Sequence, residues 1–221
     1  MPRVEELFPG VYTIDGKLAT LNLVKGRKAY TEDLVRVANA EYRMWTPYRS
    51  KLSAAIANGM RNMGIKEGSA VLYLGAANGT TASHVSDIVG SGGRVYCVEM
   101  SERSMRDLIR VCETRGNMLP ILADAGDIGI YRDIITEKCD VIYQDVSARN
   151  QAQILNLNST LLKTNGLAYF AIKSQSIDIS MKPEDIYRRE LNETGKYFDT
   201  IEKLSLEPYD SMHLFTVLKK R

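Results

Sequence analysis

The chain has 221 residues, 44% of them hydrophobic and 25% charged, enough for one sizeable core plus a small appended unit. Its formal charge of +2 is too small to drive nucleic-acid binding by bulk electrostatics, so a positive contact surface would have to be local. No apolar run approaches the roughly 18 residues that cross a bilayer, and no signal-peptide pattern opens the chain, so a cytoplasmic protein without membrane contact is expected.

Residues 1–45 read as a small β-rich unit. Gly10-Val-Tyr-Thr-Ile14 and Lys17-Leu-Ala-Thr-Leu-Asn-Leu-Val24, with a Gly26-Arg27 turn, suggest short strands joined by hairpins. Residues 46–221 read as a second, larger α/β domain. A helix is expected from about Thr46 to Met63, because Leu52, Ala55, Ile56, Gly59, Met60 and Met63 repeat at helical spacing and Pro47 is tolerated in a first turn.

Strands and helices alternate from Ala70 onward, with strands centred on residues 70–75, 93–99, 119–123, 139–145 and 166–173. The first ends in Gly75-Ala-Ala-Asn-Gly79, a small-residue turn that lets a nucleotide-like ligand rest against bare backbone around Gly75 and Ala77. Thr80 and Thr81 are suitable N-cap types for a helix running to about Gly90. The turn is not a G-x-G-x-x-G, since Ala77 and Thr80 stand where two glycines would be, which argues against a nicotinamide enzyme. About 24 residues after Gly75 the second strand ends in Glu99, where doubly wound folds place the carboxylate that bonds ribose hydroxyls. Ser101 should cap a helix whose apolar face carries Met105, Leu108, Ile109 and Cys112. Further helices are expected from about Asn150 to Leu162 and from Pro183. Two final strands, 197–206 and 212–218, are joined by Glu207-Pro-Tyr-Asp210. A parallel βαβ series closed by an antiparallel last strand is the pattern of class I, Rossmann-like methyltransferases.

In such a sheet ligands bind at the carboxyl ends of the strands. Those ends carry Glu99 and Met100, Asp124 and Ala125, Gln144 to Ser147, and Lys173. Asp124 has the chemistry for an adenine amino group, or for an ordinary turn aspartate. A lysine at the end of a central strand is costly to desolvate unless paired, and Asp145 on the adjacent strand is its natural partner. The pair is either structural or poised at a substrate hydroxyl, with Lys51 and His213 placed to complete the cluster. His84 reads as helix packing. Cys97, Cys112 and Cys139 show no paired spacing and read as core thiols in a reducing compartment. With two histidines in the chain, no metal site is expected.

Three long stretches resemble archaeal fibrillarin: Glu41-Tyr-Arg-Met-Trp-Thr-Pro-Tyr-Arg-Ser-Lys-Leu52, Gly75-Ala-Ala-Asn-Gly-Thr-Thr-Ala-Ser-His-Val-Ser-Asp87 and Tyr143-Gln-Asp-Val146. Ala19-Thr20, Asn22-Leu-Val24 and Ile172-Lys-Ser-Gln-Ser-Ile-Asp178 extend the similarity over nearly the whole chain, without the Gly/Arg-rich tail of eukaryotic forms. The resemblance implies a class I methyltransferase fold and guide-RNA-directed 2′-O-methylation of rRNA and tRNA ribose with S-adenosyl-L-methionine. It implies an archaeal box C/D particle containing guide RNA, a Nop-type scaffold protein and a K-turn-binding ribosomal-type protein. By position, the family's catalytic tetrad falls on Lys51, Asp145, Lys173 and His213. The family's cofactor contacts fall on Thr80, Thr81, Glu99, Met100, Asp124, Ala125, Asp145, Val146, Ser147 and Ala148.

The chain departs from the family at Asn78, where a serine is usual, and at Ser147-Ala148, where Ala-Gln is usual. The usual Tyr-x-Lys-Asp-His-Ala becomes Tyr209-Asp-Ser-Met-His-Leu214, so the acid before His213 is lost and that histidine is expected to contribute less than the lysines. Arg43, Arg49, Lys51, Arg149, Lys173 and Lys182 are the residues expected to line a local basic cleft for a duplex delivered by partners. Rival readings are a guide-independent RNA or small-molecule methyltransferase and a scaffold subunit that only retains cofactor.

Overall fold

The computed structural model describes residues 2–221. The N-terminal strands are β1 (Val4–Phe8), β2 (Val11–Ile14), β3 (Lys17–Leu21), β4 (Leu34–Val37) and β5 (Ala40–Met44), an antiparallel sheet in the order β1-β2-β3-β5-β4. Asp15 and Gly16 turn β2 into β3 with φ of 49° and 80°, the left-handed pair that suits a two-residue hairpin. The sequence pattern identified only β2 and β3. Strands β1, β4 and β5 carry Glu5, Glu6, Arg36, Glu41 and Arg43, charges that mask a strand signal until their partners are known.

A 3-10 turn at Pro47–Arg49 precedes α1 (Lys51–Ala57). This segment is shorter than the single helix expected from Thr46 to Met63. Ser50 is extended and its hydroxyl accepts the Ser53 N–H at 3.3 Å, so it begins a new helix inside the apolar stripe. Gly59, at φ 89°, ends that helix, and the Glu202 carboxylate accepts the N–H groups of Arg61 and Asn62. Met60 still reaches the core from non-helical backbone.

There follow β6 (Ala70–Leu74), α2 (Thr80–Val89), β7 (Arg94–Glu99), α3 (Glu102–Glu113), β8 (Met118–Leu122), α4 (Ile128–Tyr131), β9 (Cys139–Gln144) and α5 (Gln151–Asn158). The chain closes with β10 (Leu162–Lys173), α6 (Ser174–Ile177), α7 (Pro183–Thr194), β11 (Phe198–Ser205) and β12 (His213–Lys220). The sheet order is β11-β12-β10-β9-β6-β7-β8, with β12 antiparallel to both its neighbours, as the methyltransferase pattern requires. Ser101 caps α3 as expected, accepting the Ser104 N–H, but the buried face is Met105, Leu108 and Val111, while Ile109 is exposed. Gly79 caps α2 in place of Thr80 or Thr81, because its φ of 83° turns the chain tightly over Leu108 of α3.

The N-terminal sheet meets α2 through buried charge. Arg43 donates to Glu32, Asp87 and Ser83, and Arg115 donates to Asp87 and Ser83, with all four charged side chains at most 2% exposed. Arg43 is therefore absent from the surface, and the expected basic cleft loses that member. Burial raises the Glu32 carboxyl, but the Arg43 charge and the N–H groups of Ala29 and Tyr30 outweigh it and hold the group below its usual range.

Candidate active site

Chain order reverses between β6 and β9, which lie side by side, so their carboxyl ends bound the crevice where doubly wound folds bind ligands. Gly75 sits in that crevice at φ 80°. A Cβ there would lie 2.8 Å from the Asp145 carbonyl, so the turn closes against β9 only without a side chain.

Three of the expected catalytic residues meet at this crevice. Asp145 directly follows β9, Lys173 ends β10, and Lys51 opens α1. Lys173 Nζ lies 2.9 Å from Asp145 Oδ1, and Lys51 Nζ lies 3.1 Å from the same oxygen. Lys173 Nζ also donates to the Asp145 carbonyl at 2.8 Å and to Ser147 Oγ at 3.1 Å, so two hydrogen bonds and the ion pair with Asp145 hold it in place. Gln151 locks the lysine's backbone by accepting its N–H and donating to its carbonyl. The side chains of Lys51, Asp145 and Lys173 retain 15–17% exposure, so the cluster is desolvated but reachable. His213, register partner of Lys173 across β10 and β12, contacts Asp210 at 2.7 Å, and Asp210 in turn lies 3.6 Å from Lys51.

Asp210, Gln151 and Ser50 are members of this arrangement that the sequence reading did not assign. Thr81 donates to Ser50 Oγ, tying the start of α2 to the start of α1. A cleft of about 200 Å³ opens among Pro47, Tyr48, Ser50, Lys51, Thr81, Asp145 and Asp210. Tyr73 and Tyr143 stack beneath it at 4.3 Å. Burial, with the Asp145 charge adding to it, pushes both phenols well above the usual range, so neither serves as a base.

The expected cofactor residues form a neighbouring rim. Glu99 accepts the Ala77 N–H at 2.8 Å and the Ser101 N–H at 2.7 Å, so it shapes the turn as well as facing it. Ala77 takes φ 47°, a left-handed position of the kind glycine usually fills. Asp124 Oδ1 accepts the Gly126 N–H at 2.7 Å, which is the turn role foreseen as its alternative. Ala125 is buried, its carbonyl accepting from Tyr131 and Asn158, and Met100 is exposed at the lip. Val146 and Ala148 pack on the core, while Ser147 accepts from Lys173. A carboxylate accepts at about four positions, so Glu99 and Asp124 keep capacity for hydroxyl and amino donors beyond their backbone bonds. An unencumbered turn, two acceptor carboxylates and an exposed apolar side chain fit an adenosine. Among the described residues no cluster of metal-ligating side chains occurs, and no helix is long and apolar enough to cross a membrane.

Comparison with known proteins identifies the family. The fibrillarin family model matches residues 3–221. The chain belongs to the fibrillarin family. It is 48% identical over 219 residues, 96% of each chain, to the fibrillarin-like rRNA/tRNA 2′-O-methyltransferase of Pyrococcus furiosus. The fibrillarin of Aeropyrum pernix, solved with natively bound S-adenosyl-L-methionine, superposes with a TM-score of 0.88 at 40% identity, covering 99% of this chain and 100% of that one. A fibrillarin solved in complex with Nop5p gives 0.88 at 37% identity, covering 98% and 100%.

Proposed function

We propose that the protein is an S-adenosylmethionine-dependent RNA ribose 2′-O-methyltransferase of rRNA and tRNA, directed by box C/D guide RNA. The observation that carries this reading is the convergence of Lys51 and Lys173 on Asp145 beside the adenosine-fitting turn. Fibrillarin-family membership, a relative named for this activity and a relative solved with S-adenosyl-L-methionine support it.

Glu99 would accept from the cofactor ribose and Asp124 from the adenine, with Met100 and Ala125 flanking the ring. Gly75, Ala77, Thr80, Thr81 and the Asp145–Ala148 segment would line the rest. The bound cofactor supplies an electrophilic methyl group. The chain's task is to hold the 2′-oxygen in line with it, and positioning of this kind supplies much of a transfer rate. Lys173, held by the Asp145 carbonyl and Ser147 Oγ, contacts the 2′-hydroxyl, aids loss of its proton and stabilises the negative charge that develops on the oxygen. Asp145 orients both lysines, and Lys51 and His213 position the ribose and phosphate.

The near-neutral chain has few means of selecting RNA alone. Arg49, Arg149 and Lys182 are exposed and, with the two lysines, suffice to orient one ribose in a duplex already delivered. Target choice then falls to guide pairing, with a Nop-type scaffold and a K-turn-binding ribosomal-type protein assembling the particle in the cytoplasm. The complex of a relative with Nop5p supports the scaffold. The test adds guide RNA, scaffold and K-turn-binding protein in turn to the purified chain with one target RNA. Site-specific methylation is expected only with the guide and its proteins. Efficient, site-specific methylation by the chain alone would overturn the guide-directed reading.

A further inference from the structure

The residue before His213 is Met212, exposed and at φ 62°, so no carboxylate stands beside the histidine in sequence. One reaches it from three residues back. Tyr209 and Asp210 both donate their N–H groups to the Leu206 carbonyl, at 2.9 and 3.0 Å, which curls the β11–β12 connection over the site. The curl brings Asp210 Oδ1 to 2.7 Å from His213 Nδ1 and leaves Oδ2 3.6 Å from Lys51 Nζ.

His213 Nδ1 has a second neighbour, the Ser211 carbonyl, at 2.8 Å. A carboxylate and a carbonyl can only accept, so Nδ1 must carry the hydrogen. In a neutral imidazole the lone pair is then on Nε2. Asp210 thus does two things at once. Beside the Ser211 carbonyl, which takes the hydrogen bond, its Oδ1 favours the hydrogen on Nδ1 and leaves Nε2 the acceptor, and its other oxygen adds a second carboxylate to the surroundings of Lys51, whose first is Asp145. The five side chains form one series, Lys173–Asp145–Lys51–Asp210–His213, with two lysines against two aspartates.

We infer that Asp210 is a positioning residue of the methyltransferase site, holding His213 in the Nδ1–H form so that Nε2 is presented as an acceptor to a hydroxyl donor of the RNA, and coupling that histidine to Lys51. The inference rests on the methyltransferase reading above. It gives His213 a defined part in the site through a residue outside the expected tetrad.

The test compares the parent with Asp210→Asn, Asp210→Glu, His213→Gln and the double variant Asp210→Asn/His213→Gln. Each is the full chain, assembled with guide RNA and partner proteins for the rate measurements. Nitrogen-15 spectra of the free chain report the tautomers of its two histidines, with His213 assigned by its loss in His213→Gln. The parent should show Nδ1–H at His213. Asp210→Asn offers an amide in place of the carboxylate and should move the population toward Nε2–H. Its single-turnover rate at saturating RNA and cofactor should fall about 10- to 100-fold, less than the roughly 10²- to 10⁴-fold of a lost proton-handling group because the group is displaced and not removed, with cofactor affinity unchanged. Asp210→Glu should recover part of that rate. In the His213→Gln background Asp210→Asn should cost little more, because both changes remove one function.

A parental tautomer and rate in Asp210→Asn would overturn the inference. So would an undiminished loss in the His213→Gln background, which would make Asp210 a structural or lysine-only partner. Failure of the parent assembly to methylate would sink the methyltransferase reading instead, and the spectra would still report whether Asp210 sets the tautomer.

Discussion

Two groups of charged side chains are removed from bulk water in this molecule, and they are built differently. Under α2, Arg43 and Arg115 face Glu32 and Asp87 at 2% exposure or less, with hydrogen bonds to Ser83 and Ser86 completing the shell. At the strand ends, Lys51 and Lys173 share Asp145 with 15–17% of each side chain still exposed, and Asp210 and His213 are more open. The first group uses arginine, whose planar fork binds several acceptors at fixed angles and keeps its charge. The second uses lysine, a point charge on a flexible stem that can exchange partners as a substrate arrives. Saturation and complete burial mark a seam, whereas shared partners and residual access mark a site.

The sharpest way to break this comparison is at Lys173. Lys173→Ala should lower the single-turnover methylation rate by at least about 10²-fold, in the range for loss of a positioned proton-handling or charge-stabilising group. Cofactor affinity, read by calorimetry, should stay within a few-fold, since Lys173 reaches the cofactor-lining segment only at the Asp145 carbonyl and Ser147 Oγ and touches neither Glu99 nor the glycine turn. A parental rate would show that the strand-end cluster is only another seam.

The converse substitution is Asp87→Ala. It strands Arg43 and Arg115 in the interior and should cost about 3–5 kcal/mol of folding free energy in chemical denaturation, as breaking a buried pair does. Below the unfolding transition its folded fraction should bind cofactor and turn over as the parent does. Asp145→Ala should do the reverse, with little loss of stability and near-complete loss of rate. A variant at Asp87 with parental stability would mean the seam is dispensable.

Much of the site was legible because its parts lie where local pattern is informative. The glycine turn, Glu99 about one βα unit later, and Asp145 and Lys173 at the ends of apolar strands follow from strand boundaries alone. Asp210 was not legible, because its approach to His213 depends on the curl at Leu206 and not on any spacing between strands. Arg43 was misplaced for a related reason. An arginine in a strand reads as solvent-facing until Glu32 and Asp87 arrive from other segments. The apolar stripe from Leu52 to Met63 suggested one long helix because the core accepts Met60 from irregular backbone as readily as from a helix. Periodicity reports which residues face inward, and only capping groups such as Ser50 and Gly59 say where a helix stops.

A smaller effect tests the cofactor rim. Glu99→Ala should weaken S-adenosylmethionine binding by about 1.5–3 kcal/mol, the value of a charge-assisted hydrogen bond. The Ala77 and Ser101 N–H groups also lose their acceptor, so part of that loss comes from a loosened turn. Unchanged affinity in a folded Glu99→Ala chain would remove Glu99 from the cofactor site.

The smallest expected effect concerns pH and belongs to the seam. His84 is fully buried, stacked on Trp45 at 4.8 Å, with Nδ1 2.8 Å from Thr20 Oγ1 and Nε2 2.8 Å from the Tyr30 hydroxyl. Thr20 gives its own hydrogen to Asp87, so it accepts from His84 Nδ1–H, and Nε2 accepts from Tyr30. The neutral ring is therefore fully bonded. Burial first, then the nearby Arg43 and Arg115 charges, hold its pKa well below the usual value of 6.5. The unfolded chain takes up a proton as pH falls through about 6.5 while the folded chain does not, so stability is lost on the acid side and restored as pH rises. Lowering the pH from 6.5 to 5.5 should cost about 1 kcal/mol through this residue. His84→Gln, though less stable overall, should show a shallower fall across that interval. Parallel curves for parent and variant would mean that His84 is protonated inside the fold, and the seam would then hold a third cation.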